Sequence, residues 1–128
     1  MKTKNKKLLL VLLIMVSGCG QSQQFVAVPA NAKKEGTPQQ LIQVKAERFK
    51  FTPDIIRVKT GTLVRLEVTS VEGEHGFQLG SFGIDEEIEE GQTRIVEFYA
   101  SKAGEYNFRC SHFCGIGHLG MTGKVIVE

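Results

Sequence analysis

Twelve residues near the C-terminus, Cys110-Ser-His-Phe-Cys114-Gly-Ile-Gly-His118-Leu-Gly-Met121, hold two thiols, two imidazoles and a thioether. Soft and borderline groups of this kind favour copper over hard cations. A thiol follows a thiol after four residues, an imidazole comes four later and a thioether three later, which reads as a metal-binding loop. The plainer readings of the same side chains are a disulfide, a structural zinc site or ordinary loop residues. One further ligand is expected, and His75 is the candidate. It lies in Glu72-Gly-Glu-His-Gly-Phe-Gln-Leu79, at the end of a strand pattern and beside a glycine. Alone it would read as an exposed loop histidine. All three histidines, His75, His112 and His118, fall in or opposite the loop, and that favours a ligand.

The N-terminus reads as a targeting segment. Lys2, Lys4, Lys6 and Lys7 precede an apolar run, Leu8 to Val16, of nine residues. A bilayer span needs about 20 apolar residues, so this run suits a signal sequence instead. It ends in Val16-Ser17-Gly18-Cys19, which resembles the bacterial lipobox, whose cysteine becomes the lipidated first residue of the mature protein. The expected organisation is a signal peptide at 1–18, lipidated Cys19 with a polar flexible linker through residue 40, and a domain at 41–128. Such a protein would be extracytoplasmic and held to a bacterial membrane through its lipid alone. Of three cysteines, only Cys110 and Cys114 then remain for the domain. The formal charge of +2 falls to about −2 once the four lysines of 1–18 leave 12 basic against 14 acidic residues, and nothing points to nucleic acid.

The elements that must position the loop read as all-β. Residues 41–49 alternate apolar and polar, and Phe49, Phe51, Ile55, Ile56 and Val58 extend the pattern past Pro53. In Thr62-Leu-Val-Arg-Leu-Glu-Val-Thr-Ser70, Val64, Leu66 and Val68 share one face. Phe77 and Leu79 follow, then Ile84 and Ile88. Further strands are expected at 93–99, 105–110 and 123–128, separated by Gly-containing turns. Short strands with such turns make a β-sandwich or barrel, without helical runs or internal repeats.

Together these residues resemble a cupredoxin, a Greek-key β-sandwich or barrel. The loop resembles the CuA-binding loop of cytochrome c oxidase subunit II and nitrous-oxide reductase. The pattern C-x-x-x-C-x-x-x-H-x-x-M with an upstream His is matched by Cys110, Cys114, His118, Met121 and His75. The segments 51–61, 75–79 and 103–110 also read like cupredoxin segments. The resemblance implies two copper ions bridged by the thiolates of Cys110 and Cys114. His75 and His118 would each bind one copper, and Met121 would be a weak axial ligand. His112, where the family typically has Glu, would offer its backbone carbonyl. Phe108, Phe113 and Ile116 are candidates for an apolar shell, with Phe108 also suited to the core.

The function so implied is one-electron transfer by a carrier rather than catalysis by an enzyme. Asp85, Glu86, Glu87, Glu89 and Glu90 put five carboxylates in six residues. They read as a solvated turn or as a docking face for a basic redox protein, such as a c-type cytochrome or a terminal oxidase or reductase. The sequence departs from subunit II in showing no transmembrane hairpin and no Trp. A free-standing lipid-anchored carrier is therefore expected. Two alternatives remain: a lipoprotein that stores or delivers copper, and a mononuclear cupredoxin using one cysteine.

Overall fold

A computed structural model describes residues 35–128 of the chain. The signal segment, Cys19 and most of the linker lie outside the described residues. Nine strands occur among those described: β1 (Gln39–Glu47), β2 (Lys50–Thr52), β3 (Ile55–Val58), β4 (Leu63–Ser70), β5 (His75–Leu79), β6 (Ile84–Ile88), β7 (Thr93–Tyr99), β8 (Gly104–Arg109) and β9 (Thr122–Val127). The only helical pieces among them are 3-10 turns at Gly80–Phe82 and His118–Gly120. β1 begins two residues before the expected domain start, because Gln39 and Gln40 already pair with Leu63 and Val64. It ends at Glu47 rather than Phe49, and Lys50–Thr52 folds back on it as an antiparallel partner.

The strands form two mixed sheets, one ordered β2-β1-β4-β7 and the other β3-β9-β8-β5-β6. β1 runs parallel to β4, and β3 parallel to β9. The period-two pattern decides which side chains go inside. Val64, Leu66 and Val68 of β4 are fully buried, while Arg65, Glu67 and Thr69 on the other face are partly exposed. The opposite sheet contributes Phe77, Leu79, Phe108, Val125 and Val127. Phe51, Phe77 and Phe108 form an aromatic cluster with ring centroids 5.1–5.7 Å apart. Gly123 faces the Phe108 ring so closely that a Cβ there would overlap it.

One seam matters for the site. β5 and β6 pair over five residues, and β8 and β9 over six, but β5 meets β8 through one ladder pair, Gln78 opposite Arg109. The Arg109 guanidinium donates to Gln78 Oε1 at 2.7 Å across it. Beyond this pair, the segment after Cys110 turns over the end of β5, where Gly76 admits it. A Cβ on Gly76 would collide with Ser111 Oγ and come within 2.5 Å of the His112 amide nitrogen.

Candidate metal centre

The loop between β8 and β9 is closed at its base by the Cys110 amide, which donates to the Met121 carbonyl at 2.9 Å. This bond continues the β8–β9 hairpin, so Cys110 and Met121 point inward where a regular ladder would end. Cys110 and Met121 are both buried. Between them the chain loops outward, with a tight approach where Gly117 passes the Phe49 ring: a Cβ at Gly117 would overlap that ring.

The donor atoms converge. Cys110 Sγ lies 3.5 Å from Cys114 Sγ, and both cysteines are free thiols. His75 Nδ1 lies 4.0 Å from Cys110 Sγ, His118 Nδ1 3.7 Å from Cys114 Sγ, and Met121 Sδ 3.9 Å from Cys114 Sγ. The His112 carbonyl oxygen accepts from Cys110 Sγ at 3.0 Å. One ligand atom each from His75, Cys110 and Cys114 lies within 4.8 Å of the other two. The structure thus gathers five donor side chains and one carbonyl from β5 and the β8–β9 loop. The His112 ring points elsewhere: its Nε2 is 3.4 Å from Glu74 Oε1 and its Nδ1 3.4 Å from Glu87 Oε1.

His75 is prepared as a ligand by its surroundings. It is fully buried, and its Nε2 lies 2.7 Å from the Glu72 carbonyl oxygen. A carbonyl only accepts, so Nε2 carries the proton and Nδ1 presents its lone pair to the thiols. A hydrogen bond of this kind fixes ring and tautomer in metal-ligating histidines. The Gly76 amide, at 3.4 Å, donates to Cys110 Sγ, a contact suited to a thiolate. Burial pushes the Cys114 thiol up to about 11, with the adjacent Cys110 adding to the rise. The soft and borderline atoms of this donor set fit copper.

One expectation changes. Phe113 and Ile116 are exposed and line no dry shell; only Phe108 is buried, and it belongs to the aromatic core. The glycines of the loop, not bulky residues, let it pack, and the apolar neighbour the sequence did not suggest is Phe49. The residues at 85–90 are split by the pleat: Ile88 is buried on β6, while Asp85, Glu87, Glu89 and Glu90 are exposed. Asp85 accepts from Ser111 Oγ at 2.6 Å, so the acidic strand borders the loop.

Comparison with known proteins agrees with this geometry. A family model described as cupredoxin-like domain matches residues 8–127. Cytochrome c oxidase subunit 2 of Thermus thermophilus is 32% identical over 103 residues, which cover 80% of this chain and 76% of that protein. Nitrous-oxide reductase of Pseudomonas fluorescens is 36% identical over 75 residues, 56% of this chain but only 12% of the enzyme. Among solved structures, a chain of a heme-copper terminal oxidase dimer superposes with a TM-score of 0.64 at 26% identity, covering 75% of this chain and 68% of that one.

Proposed function

The chain belongs to the cupredoxin-like domain family, and from that premise we propose that it is a one-electron carrier with a binuclear copper centre. Cys110 and Cys114 would bridge the two ions, His75 and His118 would each hold one, and Met121 and the His112 carbonyl would complete the set. The observation that carries this reading is the pair of free thiols 3.5 Å apart, each with its own imidazole, at 4.0 and 3.7 Å. When bound, such a pair of coppers supplies a redox couple that takes up and returns one electron.

The chain's own residues do the rest. His75, locked by the Glu72 carbonyl, cannot turn away when charge changes at the site. The Gly76 amide offsets thiolate charge at Cys110. Buried Met121 closes the site on the core side. A donor set fixed on neighbouring strands of one sheet needs little rearrangement between oxidation states, and a small rearrangement favours fast electron transfer. On the outer side, Phe113, Ile116 and Leu119 are exposed around half-buried His118. They offer an apolar contact for a redox partner, with the carboxylates of residues 85–90 beside it. The partner in this reading is a basic c-type cytochrome or a terminal oxidase or reductase. Acylation at Cys19 would keep the carrier at the outer face of a bacterial membrane.

The deciding experiment is copper loading of the full chain, with copper counted per chain and an electron-paramagnetic-resonance spectrum. Two coppers, a purple colour and a seven-line hyperfine pattern are expected. One readily exchanged, colourless Cu(I) per chain would instead make the protein a copper store or donor. One copper with an unchanged spectrum in Cys114→Ser would make it a mononuclear carrier.

A further inference from the structure

We infer that Asp85 and Ser111 are positioning residues for the thiol centre, an inference that rests on the copper reading above: they hold the Cys110 segment in place against the strand that carries His75. With Gln78 and Arg109 they form a belt across β8, β5 and β6, neighbouring strands of one sheet. Arg109 Nε donates to Gln78 Oε1 at 2.7 Å, Gln78 Nε2 donates to Asp85 Oδ2 at 2.8 Å, and Ser111 Oγ donates to Asp85 Oδ1 at 2.6 Å. The ends of the belt fix the direction of each bond. A guanidinium only donates and a carboxylate only accepts, so the Gln78 amide has one orientation and the Ser111 hydroxyl must donate. Both oxygens of Asp85 are thereby engaged within the fold.

The ladder explains why these residues meet. Gln78 is registered with Arg109 on β8 and with Asp85 on β6, so the three side chains stand in one cross-strand row. Arg109 and Ser111 are the two chain neighbours of Cys110. The first is tied to β5, and the second reaches over Gly76, which has no side chain in the way, to Asp85 of β6. Cys110 is buried between these two ties, with its Sγ 4.0 Å from His75 Nδ1. With one ladder pair joining β8 to β5, backbone pairing alone leaves that spacing weakly fixed. The Phe77–Phe108 ring contact holds the two strands on the core face. The belt holds them on the outer face, through the residues that flank the ligand. None of its bonds involves Cys114, His118 or Met121, so its loss should disturb the His75–Cys110 side of the centre first.

The test compares Asp85→Ala, Ser111→Ala and Asp85→Asn in the full chain. Asparagine keeps the belt without the charge: its oxygen accepts from Gln78, and its amide donates to the Ser111 hydroxyl. The reporters in the reduced, metal-free chain are the amides of Gly76 and Cys110, which donate to Cys110 Sγ and to the Met121 carbonyl. Their hydrogen exchange should quicken about tenfold in both alanine variants, with β4 and β7 unchanged, and keep its original rate in Asp85→Asn. Loaded with copper, both alanine variants should keep two ions but lose the resolved seven-line pattern, because the two couplings become unequal. Asp85→Asn should retain it, and the double alanine variant should match either single one. A loaded spectrum unchanged in both alanine variants, or exchange that quickens equally in every strand, would overturn the positioning role. An unsubstituted chain that binds no copper pair would defeat the copper reading alone, and the exchange rates would still decide whether the belt holds Cys110 to β5.

Discussion

Cys114 joins three of the donors in the centre: Cys110, His118 and Met121 all lie within 3.9 Å of its sulfur. Replacing it with Ser should cost the second copper and collapse the seven-line pattern to four lines, since one thiolate then remains. In the reduced, metal-free chain its thiol is pushed up to about 11 from an ordinary value near 9. The folded state keeps its proton where the unfolded chain has lost it. Stability should therefore be unaffected at neutral pH and fall as pH rises from about 9 to about 11. Thiolate absorbance near 240 nm should appear late, with a midpoint close to 11 for this group. An early midpoint, near 8 or 9, would mean that the pair is not desolvated as described.

At the scale of elements, Gly76 is where a strand and a loop must touch. Gly76→Ala forces the Ser111–His112 backbone off β5. It should destabilise the fold by about 1–3 kcal/mol and weaken metal binding, read by denaturant melts and copper titration. The strands themselves were legible because alternation is a local signal: Val64, Leu66 and Val68 needed no partner to declare their face. The ligand loop was legible because its chemistry is concentrated in twelve residues. Other features depend on contacts between distant segments, which no local pattern encodes. Among them are the Phe49 ring against Gly117, the exposure of Phe113 and Ile116, and the turning of His112 toward Glu74 and Glu87. His75 lay between these cases, plausible by its type and convincing only beside the loop.

For the molecule as a whole, charge and metal act together. Reversing Glu89 and Glu90 to Lys should slow electron exchange with a basic cytochrome about tenfold or more at low salt. The difference should fade as ionic strength rises toward 1 M, where the Debye length is about 3 Å. Stopped-flow rates across a salt series would read it, and salt-independent rates would remove the acidic strand from the encounter. Metal should also add to stability, by about 2.7 kcal/mol at a hundredfold excess over Kd. The seam between β5 and β8 says where that gain is felt. With one ladder pair joining them, the β5–β6 hairpin is held to β8 by the Gln78–Arg109 bond, by the Phe77–Phe108 ring contact and by the ligand cluster at its end. Amide hydrogen exchange in the metal-free chain should then run fastest in β5 and β6 and slow most there on loading. A molecule without metal would then hold that hairpin less tightly at one end and offer proteases a point of entry that a loaded molecule closes, so that resistance to cleavage would itself report whether the site is filled.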